Sequence, residues 1–343
     1  VVDDWFEYID EVPAVVADAV SEIGDRAGGI TNCQAGNQFG MSLQERAHGV
    51  LLGLACGDAL GRPVEFKSAD QIAVEHGTVT EMRGNGSHRQ PAGTITDDTE
   101  MALCIARSLT DQGEFNPDDV ADRFVEWYQS GPFDIGMMTA DAIRQLNTGA
   151  SWNEAGHTVW EHRREGQNAG NGSVMRCVPY ALAYHDDPDR LVSVSRDSSA
   201  ITHYDPRCQY GCAVLNLTIA TLLHDQSDPL QSALDRVAAD APDELVDALT
   251  GIIGDVSEAD LQTNGYVVTT LQTALYHALT AADTREAIIE AVNLGGDADT
   301  IGAITGAVAG AQHGPESLPS AWLDAIDGRE ELETLAERLI EVV

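Results

Sequence analysis

The sequence predicts an all-α fold, a single domain of roughly a dozen helices stacked through short loops. Apolar residues recur at spacings of three and four through nearly all of the chain after Met41, the period of a helix that buries one face. Strand-like alternation is scarce, and segments such as EHGTVTEM, at Glu75 to Met82, are the only β candidates. With 343 residues, 43% of them hydrophobic, there is ample material for a sizeable core. No repeat of solenoid period and no low-complexity tract competes with this reading.

The elements follow in order. Residues 1–40, from VVDDWFEYID to NCQAGNQFG, carry a short helical pattern and then a Gly/Asn-rich stretch, read as an N-terminal extension and linker. The domain then spans residues 41–343, and Met41 reads as a natural start. SLQERAHGVLLGLACGDALG gives its first helix, of small and aliphatic residues. Helical spacing continues in TEMALCIARSL, DVADRFVEWYQS, SVMRCVPYALAYH, QYGCAVLNLTIATLLH, PLQSALDRVAAD, DELVDALTGII, YVVTTLQTALYHAL, TREAIIEAVNL, DTIGAITGAVAGAQ and ELETLAERLIEVV. GAITGAVAGA would be a poor helix alone, since each glycine costs about 1 kcal/mol relative to alanine. Close backbone packing must compensate, so this segment is expected at the centre of the bundle.

Composition narrows the partners. The chain has 19 basic against 56 acidic residues, a formal net charge of −37, and Lys67 is its one lysine. Such a surface repels nucleic acid and anionic lipid. The acids are scattered rather than gathered in a tail, which reads as adaptation to a salt-rich cytosol where self-repulsion is screened. Cys33, Cys56, Cys104, Cys177, Cys208 and Cys212 stand mostly in apolar, helix-like stretches and read as reduced core thiols. Cys208 and Cys212 share a helix face, but no second pair completes a zinc site. No apolar run approaches the ~18 residues of a membrane span and no signal peptide opens the chain, so a cytoplasmic monomer is expected.

Two acidic clusters stand at helix starts. Thr96, Asp97, Asp98 and Thr99 precede one apolar helix; Asp297, Asp299 and Thr300 precede the glycine-rich one. Asp and Thr cap helices, each for around 1 kcal/mol, but a cap uses one side-chain oxygen. Here each start carries two carboxylates plus hydroxyls. Hard oxygens in this number suit Mg²⁺, Mn²⁺ or Ca²⁺ and argue against zinc. If the two starts converge, four carboxylates can hold two ions.

These residues sit in GLACGDALGRPVEF, TITDDTEMAL, GNGSVMRCVPYAL, ITHYDPRCQYG, NGYVVTTLQTALYHAL and NLGGDADTIGAITGAVAG, in which the chain resembles the ADP-ribosylglycohydrolase family from about Met41 to Gln312. The resemblance implies a compact orthogonal multi-helix bundle with two Mg²⁺ or Mn²⁺ ions at the base of a cleft. It implies hydrolysis of the glycosidic bond between ADP-ribose and a protein side chain or small acceptor. On that resemblance Thr96, Asp97, Asp98, Asp297, Asp299 and Thr300 are metal ligands, and Glu65, Asp98 and Asp297 are catalytic. Asn171, Gly172, Ser173, Val174 and Met175 look like a diphosphate and ribose wall, a Gly-rich turn otherwise being weak evidence. His203 faces the nucleotide and Tyr266 stacks on adenine; each also reads as an ordinary core or capping residue. Asp58 is expected to order the first helix's C-terminal turn or reach the second layer behind the metals.

Two rival readings remain. A metal-dependent phosphohydrolase would draw on several histidines, and the acidic clusters contain none. A non-catalytic ADP-ribose-binding relative would show gaps among the ligand positions, and none is seen. The charge balance makes its own prediction: transfer to low salt unfolds the protein, as circular dichroism would report, and unchanged stability there would reject the salt-adaptation reading.

Overall fold

The longest contact in the bundle is made almost without side chains. The computed structural model describes residues 40–164, 166–254 and 256–342; the expected extension over residues 1–40 lies, but for Gly40, outside them. Helix α1 (Leu43–Gly61) and the helix Ala298–His313 run antiparallel, and Gly49, Gly53 and Gly57 face Gly310, Gly306 and Gly302 in turn. A Cβ added to Gly53 would lie 2.0 Å from the Gly306 carbonyl oxygen, and one on Gly57 would lie 1.9 Å from that of Gly302. Both helices are buried along nearly their whole length, as expected for GAITGAVAGA. Backbone contact on one face and Leu, Val and Ile packing on the others offset the weak propensity of glycine.

This pair belongs to sixteen α-helices formed by the described residues. They are α1, α2 (Ala69–His76), α3 (Asp97–Gln112), α4 (Pro117–Gln129), α5 (Met137–Asn147), α6 (Trp152–His162), α7 (Pro179–Ala183), α8 (Pro188–Ala200), α9 (Pro206–Leu223), α10 (Pro229–Val237), α11 (Asp243–Gly254), α12 (Val267–Thr280), α13 (Thr284–Asn293), α14 (Ala298–His313), α15 (Ser320–Ala325) and α16 (Arg329–Leu339). The all-α class holds: no strand forms among the described residues, which contain isolated bridges only. Glu75–Met82 is therefore not β; Glu75 and His76 end α2, and Gly77, at φ +68°, stops it. SVMRCVPYALAYH is not one helix either. A 3₁₀ turn, Val174–Arg176, precedes α7, because Pro179 has no N–H to continue the ladder and fits only a first turn.

Three local devices aim the site. Ser42 caps α1 with a reciprocal Ser–Glu45 box. At its other end α1 runs into a 3₁₀ turn, Arg62–Val64, that delivers Glu65. The Phe66 N–H then donates to the Gly296 carbonyl and the Gly296 N–H to that of Lys67, both at 2.7 Å, which clamps the Glu65 loop to the segment before Asp297. Gly296 has φ +71° and a Cβ there would meet Thr263 O at 2.0 Å, so no other residue fits.

Cys56, Cys104, Cys177, Cys208 and Cys212 are buried free thiols, as the sequence predicts. No helix among the described residues is long and apolar enough to cross a membrane. The α1–α14 contact makes Gly306→Ala costly: its Cβ would meet Gly53 O, a backbone atom that cannot step aside. A loss of at least about 1–3 kcal/mol is expected, measured by denaturant unfolding in high salt.

Candidate active site

The antiparallel glycine contact brings the C-terminal end of α1 beside the N-terminal end of α14. Asp58, on the last turns of α1, reaches across to the start of α3: its carboxylate accepts the Thr96 N–H (3.0 and 3.1 Å), the Thr99 N–H (3.3 Å) and the Thr99 hydroxyl (2.5 Å). Asp58 is thus a cap for α3 rather than a brace of its own helix. With α3 held from behind, Asp97 and Asp98 point forward. The Thr300 hydroxyl, 202 positions along the chain, comes 3.4 Å from Asp98 Oδ2, and Thr96 Oγ1 lies 3.0 Å from the same oxygen. The two acidic helix starts converge.

Glu65, Asp97, Asp98, Asp297, Asp299 and Thr300 all line one cavity of about 680 Å³. Carboxylate oxygens of Glu65, Asp297 and Asp299 lie within 4.8 Å of one another. Burial pushes every one of these acids upward, and each feels neighbouring negative charges as well. Asp97 is raised to about 8 and Glu65 to about 9, each by burial first and then by the charge of Asp134. Asp98 and Asp299 go well above the usual carboxylate range. Asp58 rises to about 6, held down by its bonds from Thr99 and Thr96.

No lysine or arginine forms an ion pair with this group among the described residues. Arg62, whose charge Asp58 and Asp299 feel, instead donates to the carbonyls of Arg83, Asn85, Pro91 and Thr94 and braces that loop. Asp98 Oδ1 is buried with no hydrogen-bond partner. A buried, unpartnered carboxylate oxygen amid like charges is what a cation would satisfy, so the residues present fit hard divalent metal ions.

The opposite wall is nearly uncharged. Gly170, Asn171, Gly172, Met175 and His203 line the cavity. Asn171 joins the two walls, donating to Asp297 Oδ2 at 2.5 Å and to Thr270 Oγ1 at 3.1 Å. A Cβ on Gly172 would lie 2.8 Å from His203 Cε1 and 2.9 Å from Thr139 Oγ1, so glycine lets this backbone close against the imidazole. Burial lowers His203 to about 3, keeping it neutral. Arg176 donates to Thr202 Oγ1 (2.6 Å), which in turn lies 2.8 Å from His203 Nδ1 and fixes the ring with its Nε2 beside Gly170 and Gly172.

Other expected residues stand behind the surface. Thr96 is fully buried under Asp98. Val174 is fully buried, and Ser173 Oγ accepts from Ser199 and Cys212. Tyr266 does not line the cavity: its hydroxyl donates to Glu244 (2.7 Å) and accepts from Arg207 (3.1 Å). Three charged or titratable residues on or beside this cavity, His88, Asp134 and Arg163, escaped the sequence reading. His88 Nε2 lies 2.5 Å from Glu65 Oε2 and 3.4 Å from Asp134 Oδ2, joining the two acids, and Arg163 supplies a guanidinium.

The ADP-ribosylglycohydrolase family profile matches residues 40–343. The chain is 35% identical to the ADP-ribosyl-[dinitrogen reductase] glycohydrolase of Rhodospirillum rubrum, over 86% of this chain and 94% of that protein. It is 32% identical to the ADP-ribosylarginine hydrolase of Serratia proteamaculans, over 86% of this chain and 79% of that one. A solved structure, an ADP-ribosylglycohydrolase-related protein complex, superposes with a TM-score of 0.75 at 37% identity, over 88% of this chain and 99% of that chain.

Asp58→Ala removes the shared acceptor of Thr96 and Thr99. A net loss of about 1–3 kcal/mol in denaturant unfolding is expected, part of the lost bonding being offset by relief of repulsion; an unchanged midpoint would show that Asp58 does not hold α3.

Proposed function

Because the chain belongs to the ADP-ribosylglycohydrolase family, we propose that it hydrolyses the N-glycosidic bond between ADP-ribose and an arginine side chain, with two Mg²⁺ or Mn²⁺ ions in the acidic floor. The observation that carries this reading is the convergence of α3 and α14: a buried, unpartnered Asp98 oxygen among Asp97, Asp297 and Asp299, at the base of a cavity whose other wall is the Asn171–Gly172–His203 surface. The arginine linkage is favoured over serine or acetyl linkages by two features. A relative 32% identical over most of both chains is named for it, and Glu65 and Asp134 give the cavity acidic groups that suit a guanidinium.

Asp97, Asp98, Asp297, Asp299 and Thr300 would hold the ions, with Thr96 fixing Asp98 from behind. When bound, such ions orient ribose hydroxyls and offset charge at the reacting centre. The protein's own groups do the rest. Gly170 and Gly172 bring bare backbone against the diphosphate, with Arg163 as its counter-charge. The His203 Nε2–H donates to a nucleotide oxygen. With bound cations offsetting the negative charges that push its carboxyl up, Glu65 would take a proton from the attacking water as the water oxygen bonds to the anomeric carbon and the carbon–nitrogen bond breaks, its electron pair leaving with the guanidine nitrogen, and would then pass that same proton to this nitrogen. The carboxylates of Asp98 and Asp297 balance the positive character that develops on the ribose.

The test is release of free ADP-ribose from arginine-, serine- and acetyl-linked substrates, with Mg²⁺ or Mn²⁺ and with EDTA. Turnover of the arginine-linked substrate is expected, abolished by chelation and lowered roughly 10²–10⁴-fold in Asp98→Asn and Asp297→Asn. Activity indifferent to EDTA would remove the metals from the mechanism. ADP-ribose binding by calorimetry without turnover of any substrate would favour the non-catalytic reading.

A further inference from the structure

A second cluster of metal-binding atoms lies outside the acidic floor, in a cavity of about 280 Å³ that shares no lining residue with the first. His185 follows α7, Asp186 is its neighbour in the turn entering α8, and His224 caps the C-terminal end of α9. Their three facing atoms form a nearly equilateral triangle. His185 Nδ1 and His224 Nε2 are 3.2 Å apart, His185 Nδ1 and Asp186 Oδ1 3.4 Å, and His224 Nε2 and Asp186 Oδ1 3.2 Å. Ligands bound tetrahedrally to one ion at 2.0–2.2 Å stand about 3.3–3.6 Å apart, so the triangle is close to one face of such a polyhedron.

Hydrogen bonding within the triangle leaves it incomplete. One neutral imidazole can donate across the 3.2 Å gap to the other, but the accepting ring then turns no proton toward Asp186. If instead His224 Nε2–H donates to the His185 carbonyl oxygen, 3.3 Å away, His185 Nδ1 must carry its own proton for the carboxylate. That arrangement satisfies the two nitrogens without joining all three atoms, whereas one cation held between His185 Nδ1, His224 Nε2 and Asp186 Oδ1 would bind all of them at once. Arg236, also on this cavity, is paired with Asp189. The end of α9 adds the negative pole of its dipole.

We propose that His185, Asp186 and His224 form a zinc-type divalent metal site that ties the C-terminal end of α9 to the turn before α8. Two imidazole nitrogens and one carboxylate oxygen select a borderline ion over Mg²⁺, the reverse of the all-oxygen floor. His185 is nearly buried, its side chain 7% exposed, while Asp186, at 74%, is the open side through which an ion enters. The role is structural: binding to the folded state alone raises its stability.

The experiment uses the full chain in high salt with excess Mg²⁺ throughout, so that the oxygen-only sites are filled. Co²⁺ is added as the spectroscopic probe and Zn²⁺ as the competitor. One equivalent of Co²⁺ giving the intense visible bands of a tetrahedral centre, displaced by Zn²⁺ but not by further Mg²⁺, is expected, with a rise in melting temperature on Zn²⁺ addition. His224→Ala should abolish the bands and weaken Zn²⁺ binding at least about 100-fold, since even outer partners of a metal-bound histidine are worth 10–100-fold. Its circular dichroism reports whether the variant is folded. Weak octahedral bands in the unmodified chain, or equal Zn²⁺ affinity in folded His224→Ala, would overturn the proposal and leave a histidine pair held by hydrogen bonds alone. The spectrum of the unmodified chain decides the matter even if the variant does not fold.

Discussion

Contact between the backbones of α1 and α14 is the constraint on which the rest depends. Because glycine meets glycine along the shared face, no side chain can adjust to absorb a shift. Successive residues of a helix are about 100° apart, so a slip of one position would bring Leu, Ala or Ile against carbonyl oxygens. The register is therefore fixed, and it decides which ends meet. Asp58, Arg62 and Glu65 leave α1 at the level where Asp297, Asp299 and Thr300 enter α14. Asp58 then fixes α3 through its start. Three helices become one rigid frame whose shared opening is lined with carboxylates.

That frame holds an arrangement that would not assemble for its own sake. Buried acids repel one another, and burial alone disfavours their charged forms. The N-terminal ends of α3 and α14 offset part of this through their dipoles, and Thr96, Thr300 and Asn171 offset part through hydrogen bonds. What is left unsatisfied, Asp98 Oδ1 above all, is the group a function would use. Packing around the glycine pair is thus what permits a local arrangement that is unfavourable without a cation.

Much of this was legible in the sequence, for identifiable reasons. Carboxylates in surplus at two helix starts mark a site because capping cannot use them all, and a glycine-rich apolar helix must be central because it cannot stand alone. His88, Asp134 and Arg163 were not legible. Each sits where no period carries information, and one more acid among 56 is no signal. Helices α2, α5, α6, α8 and α15 escaped for a related reason: they are short or mostly polar, with a narrow buried face. Ser173 and Val174 are buried at the start of the 3₁₀ turn Val174–Arg176, a geometry that a helical reading of the segment hides. Tyr266 is drawn away by Arg207 and Glu244, partners remote in sequence.

The two walls of the cavity answer opposite electrostatic demands. An acidic floor attracts cations, yet a nucleotide diphosphate brought to the same cavity is an anion approaching a chain of net charge −37. The Asn171–Gly172–His203 wall meets this by presenting no negative charge: the imidazole is kept neutral by burial, and glycine leaves dipolar backbone exposed beside Arg163. Cations bound in the floor as proposed would reverse the sign of the local field, and dissolved salt screens the remote carboxylates more than the contacts inside the cavity, because exposed charges beyond a Debye length are screened and buried ones much less. On the salt-adaptation reading, ions that screen the acidic surface would therefore also clear the approach for the proposed anionic ligand, without weakening the short-range bonds that would hold it.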